Sequence, residues 1–193
     1  MSNCQRLFDG AGAALGLLAF APVMATVAAA IWLEDGGPVL FRQTRMGRQR
    51  QPFTILKFRS MRNGRVTRVG RLVRATGLDE LPQFINILRG EMSAVGPRPL
   101  TEDDVRRFGW TTAAHDFRWQ APPGLTGLVQ LAGADSPAHA LDLDRAYLGR
   151  RGVLLDCRLI AWSFAVNIFG KARVRRHFGA TRTSGSDRGQ TTL

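Results

Sequence analysis

Cysteine, histidine, tyrosine and lysine are all scarce in this chain, and each shortage narrows what it can do. The two cysteines, Cys4 and Cys157, lie far apart with no metal-ligand spacing, which argues against a disulfide framework and makes a reducing compartment the default. The three histidines, His115, His139 and His177, are scattered, so no zinc site and no histidine-based catalysis is expected from their spacing. Lysine occurs only at Lys57 and Lys171, yet the 193 residues carry a formal charge of +12. The excess is therefore arginine, whose planar fork matches phosphate geometry. Such a balance implies an anionic partner: nucleic acid, an anionic membrane surface or a phosphorylated substrate. The length allows one modest domain with its own core.

Charge is also missing locally. Residues 10–33 carry none, between Arg6 and Asp9 on one side and Glu34 and Asp35 on the other. As one straight helix this stretch reaches roughly 36 Å, enough to cross a bilayer. Pro22 lies near its middle, removes a backbone donor and predicts a kink or break, leaving halves of roughly 18 Å. Three readings remain open. Small residues at Ala28-Ala29-Ala30 fit a cleaved signal peptide, and the length fits a spanning helix. The central proline, with arginines beyond both ends, fits a hairpin entering and leaving one leaflet.

Beyond the break at Gly36-Gly37-Pro38, residues 39–43 and 52–58 read as short strands joined by a loop over 44–51. Arg45, Arg48, Arg50, Arg59 and Arg62 interleave with Phe41, Phe53 and Phe58. That mixture fits either an aromatic platform for single-stranded nucleic acid or a basic face on anionic headgroups. The preceding apolar segment favours the membrane. Arg65, Arg68, Arg71 and Arg74 then recur every three residues around Val69, Leu72 and Val73, predicting a short helix with an arginine edge.

The chemistry concentrates at Asp79-Glu80. Leu81, Phe84, Ile85 and Leu88 fall at one-face helical spacing with a stop at Arg89-Gly90, and Pro82 fits a first turn. The two carboxylates thus sit at a helix N-terminus, where the dipole is expected to keep them ionised for use as nucleophile or metal ligand. Acidic residues there, with Thr76 as a cap, are also ordinary dipole complements. Downstream, prolines on both sides of Arg98 in Gly96-Pro97-Arg98-Pro99 give a rigid turn suited to holding one guanidinium at a set angle.

Five motifs now stand in order: Phe41-Arg42-Gln43-x-Arg45-x-Gly47, Lys57-Phe58-Arg59-Ser60-Met61, Leu78-Asp79-Glu80-Leu81-Pro82-Gln83, Val95-Gly96-Pro97-Arg98-Pro99 and Pro123-Gly124-Leu125-Thr126-Gly127. In this order the chain resembles the bacterial sugar transferases, monotopic polyprenyl-phosphate phosphoglycosyl transferases, from about Arg6 to Phe169. The resemblance implies a re-entrant membrane helix holding the enzyme in the cytoplasmic leaflet of the bacterial inner membrane. It implies Asp79 as nucleophile on a UDP-sugar, with UMP leaving and polyprenyl phosphate accepting the phosphosugar. Glu80 would help bind Mg²⁺, and Arg98 would grip the diphosphate. The implied substrate-binding set is Gly96, Pro97, Arg98, Lys57, Arg59, Arg68, Arg118 and Arg145. Two departures stand out: Ala21-Pro22 replaces a Ser-Pro kink, and the polar loop expected between Arg62 and Thr67 is short. The chain reads as the family's minimal catalytic form.

Residues 143–147 (Leu-Asp-Arg-Ala-Tyr) resemble the family's Asp-x-x-Tyr segment and are expected to pack. In residues 153–169, Asp156, Ser163 and Asn167 form a narrow polar stripe, expected either on an interfacial helix with Trp162 at the boundary or on a core helix. Lys171, Arg173, Arg175 and Arg176 suit anionic headgroups. The expected organisation is α+β: an anchor over residues 1–35 as a re-entrant hairpin, a catalytic domain over 36–178 with a small β-hairpin and interfacial helices, and a disordered tail over 179–193. The runner-up is a membrane-anchored nucleic-acid-binding module, and an inactive scaffold of the same fold is a third reading. The sequence leaves open whether the chain forms a homodimer.

Overall fold

The computed structural model describes residues 3–169. The basic run from Lys171 to Arg176 and the expected tail lie outside the described residues. Helix α1 spans Asn3–Asp35, with Pro22 inside it. Of the kink or break that the sequence predicted there, the break is not formed: the helix runs on for 33 residues, about 50 Å, and two antiparallel halves are not present. The Thr26 hydroxyl donates to the Pro22 carbonyl at 2.9 Å, one turn past the position where proline removes a donor.

Strands β1 (Leu40–Met46) and β2 (Pro52–Phe58) form the predicted antiparallel hairpin, with Phe41 opposite Lys57 and Arg45 opposite Phe53. β1 runs three residues past its expected end, so Arg45 is a strand residue. A second, unforeseen hairpin pairs β3 (Met61–Arg62) with β4 (Arg65–Val66). Its two-residue turn, Asn63-Gly64, has both φ angles positive, the geometry that matches strand twist. The short connection noted in the sequence is therefore a tight hairpin, and Arg65 belongs to it. Helix α2 follows at Arg68–Thr76, capped by the Thr67 side chain accepting from the Gly70 amide. Thr76 is no cap: its hydroxyl donates back to the Leu72 carbonyl at 2.8 Å.

Gly77, at φ 73°, reverses the chain into a 3-10 turn, Leu78–Glu80, ahead of α3 (Gln83–Arg89). β5 (Ser93–Val95) pairs in parallel with β6 (Gly124–Thr126). Between them lie α4 (Glu102–Arg107), which has a Thr101–Asp104 capping box, and a 3-10 helix, Ala113–Gln120. α5 (Leu128–Ala132), α6 (Pro137–Arg150) and α7 (Val153–Phe169) complete the described chain.

α1 shares its core with the rest. Ala13 packs with Phe53, Ile55, Ile87 and Met92, and Val27 and Ile31 pack with Phe58 and Val73. Each buried Val, Ile, Phe or Met among them contributes about 1.5–3 kcal/mol. Both ends of the helix are tied to that same body. Arg6 donates to the Ile87 and Leu88 carbonyls, in the last turn of α3, at 2.6 and 2.7 Å. Asp9 accepts from Ser93 Oγ and the Ala94 amide. At the other end Glu34 accepts the first two amides of α2, and Asp35 pairs with Arg59. Asn86 covers the free edge of β2, accepting from the Leu56 amide and donating to the Thr54 carbonyl.

The helix faces depart from expectation. The stripe Leu81, Phe84, Ile85, Leu88 is only partly covered, with Leu88 exposed, while polar Gln83 and Asn86 are buried. On α7, Asp156 is buried against Tyr147 and Gln5, whereas Leu154 and Phe164 are exposed. Asp156, the first residue of the expected polar stripe, thus faces protein rather than headgroups. On α1, Gln5 and Asp9 are buried while Leu7, Leu15, Leu18, Trp32 and Leu33 are exposed. Only 11% of its most apolar 18-residue stretch is buried, which distinguishes it from a core helix. Among the described residues, every large exposed apolar side chain lies in α1, β1, β3, β4, α2, α3 or α7.

Candidate active site

The chain brings Asp79 and Glu80 together on the Leu78–Glu80 turn by fixing its two flanks. Leu78 and Leu81 pack with Val27 and Ile31 of the C-terminal half of α1 and with Phe58 and Val73. The carboxylates between them therefore stand beside the apolar helix. Lys57, on β2, donates to Glu80 Oε1 at 2.6 Å; half-exposed, such a pair contributes at most about 1 kcal/mol. The reversal at Gly77 also carries the last turn of α2 back beside Asp79, bringing Arg74 within electrostatic reach.

The expectation that a helix dipole keeps Asp79 ionised is not met. α3 begins at Gln83, past the carboxylates, and is only seven residues long. Burial, and then the adjacent Glu80, push the Asp79 carboxyl above its ordinary value of 3.8, against the pull of Lys57, its own amide and Arg74. Two neighbouring carboxylates, one half-desolvated, form a site that a cation would relieve. No cluster of three or more metal-ligating side chains exists among the described residues. Mg²⁺ needs none, because it commonly takes one or two carboxylates and completes its shell with water and substrate phosphates. Glu80, with Asp79 beside it, fits that mode.

Along the hairpin, side chains two apart share a face, so Lys57, Gln43 and Arg45 form one polar row; Gln43 accepts from Arg45 Nη2. The row covers about 13 Å and ends at the Pro97-Arg98-Pro99 turn, where Arg45 Nη1 donates to the Pro99 carbonyl at 3.3 Å. Arg98 itself is exposed. Gly96 and Gly124 let two backbones meet there: a Cβ on Gly124 would lie 2.0 Å from the Gly96 amide nitrogen. The two motifs containing them are one structural unit.

The other sequence candidates are placed as follows. Arg59 is committed to Asp35 and to the Gly36 carbonyl, at the base of α1. Arg68 begins α2, at the opposite end from Arg74, with its amide on Glu34. Arg145 lies over the Phe117 ring at 4.6 Å, in a separate groove with Gln120 and Leu148. Arg118 is buried: Nε donates to Asp144 Oδ2 at 2.7 Å, Nη2 donates to the Arg98 carbonyl, and Trp110 and Trp119 cover it. Burial pushes this guanidinium down and the Asp144 carboxyl up, and pairing opposes both shifts. As expected, Asp144 and Tyr147 pack rather than meet solvent.

Sequence reasoning underrated Arg74 and Arg45. The signals were present in Gly77, whose reversal turns Arg74 toward Asp79, and in the alternation 41, 43, 45 opposite 57. The aromatic platform that nucleic-acid binding needs is not formed by the main hairpin, since Phe53 and Phe58 are buried in the core.

Against known proteins, residues 1–170 match the bacterial sugar transferase family. The chain is 43% identical over 155 residues to a UDP-glucose:undecaprenyl-phosphate glucose-1-phosphate transferase of Caulobacter vibrioides, covering 73% of this chain and 58% of that protein. It is 36% identical over 177 residues to the protein of the same name in Escherichia coli K12, covering 81% of this chain and 38% of that protein. It is also 36% identical over 187 residues to an exopolysaccharide production protein of Rhizobium meliloti, covering 81% of each. The chain thus spans little more than half of the first of these proteins and less than half of the second.

Proposed function

The chain belongs to the bacterial sugar transferase family, and we propose that it moves a phosphosugar from a UDP-sugar to polyprenyl phosphate at a membrane surface, through a covalent intermediate on Asp79. The observation that carries this reading is the Asp79–Glu80 pair, flanked by Lys57 and Arg74 and set beside an exposed apolar helix. The names of two relatives, which pair UDP-glucose with undecaprenyl phosphate, support the substrate classes.

In the first step a carboxylate oxygen of Asp79 forms a bond to the β-phosphorus of the donor. The bond from that phosphorus to the oxygen bridging the α-phosphorus breaks, and UMP leaves with the bridging oxygen. In the second step an oxygen of polyprenyl phosphate attacks the same phosphorus, and the Asp79 oxygen–phosphorus bond breaks with its electron pair returning to the carboxylate. The products are UMP and polyprenyl-diphosphate-sugar. An anion attacking a dianionic diphosphate needs positive charge nearby. Lys57 and Arg74 supply part of it, and Arg98 grips the diphosphate from the far end of the hairpin's polar row. Mg²⁺ held through Glu80 would neutralise further phosphate charge. The raised proton affinity of Asp79 leaves its conjugate base more nucleophilic once ionised.

The anchor is monotopic on this reading. Arg6 and Asp9 at one end of α1, and Glu34 and Asp35 at the other, are bonded to the same body, which supports both ends standing on one side of the bilayer. The apolar faces of α1, α3 and α7 then meet lipid on the cytoplasmic side of the inner membrane. A donor screen tests the reaction: purified chain, undecaprenyl phosphate and Mg²⁺ should release UMP from one UDP-sugar, and chelation should stop it. UMP release from none would overturn the reading in favour of an inactive scaffold.

A further inference from the structure

The turn carrying Arg98 is fixed far more firmly than its exposure requires. Four successive carbonyls in it accept hydrogen bonds from outside. The Gly124 amide donates to Pro97 at 2.9 Å, Arg118 Nη2 donates to Arg98, Arg45 Nη1 donates to Pro99 at 3.3 Å, and the Met46 amide donates to Leu100 at 2.8 Å. The donors come from β6, the Ala113–Gln120 helix and β1. Proline rings set φ at residues 97 and 99. Little backbone freedom is left to the residue between them, although its own guanidinium is exposed.

Two of these donors are charged, and each has its own acid: Asp144 at 2.7 Å from Arg118, and Asp104 at 3.7 Å from Arg45. A backbone amide could satisfy a carbonyl without burying charge. Burying an arginine and an aspartate together, the arginine under two indoles, is costly, and replacing such pairs by apolar residues is often neutral or stabilising. Stability alone therefore does not account for Arg118–Asp144. What the pair offers is direction, because a planar fork locked at one edge by Asp144 can point its other edge at only one place.

We infer that Arg118 and Asp144 are a positioning pair: by fixing the Arg98 carbonyl they aim the Arg98 guanidinium at the diphosphate of the donor. Arg45 with Asp104 does the same for the next carbonyl. Arg118, covered by Trp110 and Trp119, does not touch substrate. The inference rests on the reading of Arg98 given above.

A double-mutant cycle on UMP release tests it, using the full chain, undecaprenyl phosphate, Mg²⁺ and the UDP-sugar that the wild type turns over. Arg118→Lys keeps the charge and loses the fork. The donor KM is expected to rise about tenfold with kcat within about twofold, as when binding common to ground and transition states is lost. In an Arg98→Ala background the same substitution should change nothing further. A second full rise in that background overturns the inference, as does a fall in kcat at constant KM, the mark of fewer folded molecules. If Arg98→Ala alone leaves KM unchanged, or if no donor is turned over, the underlying reading fails and the inference with it; the single variant and the wild type report that separately. Should Arg118→Lys not fold, Arg45→Lys enters the same cycle under the same criteria.

Discussion

Two sides of this molecule obey opposite rules. Around α4 and the Ala113–Gln120 helix, apolar Leu100, Val105, Trp110 and Trp119 are buried while Glu102, Asp103, Arg106 and Arg107 face water. Across α1, α3 and α7, Gln5, Asp9, Gln83, Asn86 and Asp156 are inside while Leu7, Leu15, Leu18, Leu88, Leu154 and Phe164 are outside. One side is built for water. The other turns apolar side chains outward, the arrangement that suits a solvent with no hydrogen bonds to offer and so supports the proposed lipid contact. The carboxylates sit where the two meet.

Placing the same charge on both sides should break the comparison most sharply. Val105→Glu buries an unpaired carboxylate, and unfolding by roughly 4 kcal/mol or more is expected, read by denaturant titration. Leu18→Glu, on a residue 74% exposed, should shift stability by no more than about 0.5 kcal/mol while moving the chain from the membrane fraction of a flotation gradient to the soluble one. Retention of Leu18→Glu on vesicles would deny that the exposed apolar face meets lipid. Next in size, Asp144→Ala leaves Arg118 without its counter-charge and is expected to cost about 3–5 kcal/mol in the same titration.

A smaller effect sharpens the boundary between the sides. Burial raises the proton affinity of Asp79 in the folded chain, so its contribution to stability is complete below the unfolded value and is lost as pH rises through the folded one. Asp79→Asn removes that loss. Its melting temperature relative to wild type should therefore improve as pH rises above the ordinary carboxylate value of about 4, and an unchanged difference would contradict the burial. The reaction should gain rate over the same rise, because only the ionised carboxylate attacks.

Local elements were more legible in the sequence than the packing. Asp79-Glu80, the main hairpin and the rigid Arg98 turn were legible because each depends on local residue types: adjacent acids, alternating strands, prolines around an arginine. Periodicity also revealed the stripes on α3 and α7. It could not say which way they face, because the usual assumption that polar means outward fails where lipid replaces water. Asn63-Gly64 carried a hairpin signal that the arginine periodicity of residues 65–74 masked. The anchoring of four successive carbonyls was invisible, since it joins residues as distant as Arg45, Arg118 and Gly124. At Pro22 the break did not follow: the helix continues through it, held along its length by Ala13, Val27 and Ile31.

The central claim is that Asp79 itself becomes bonded to the sugar phosphate. Purified chain incubated with a UDP-sugar radiolabelled in the sugar, without acceptor, should retain label after denaturation in acid, and adding undecaprenyl phosphate before denaturation should discharge it. Asp79→Asn should retain none. Equal labelling of Asp79→Asn, or UMP release by that variant at the wild-type rate, would contradict the account.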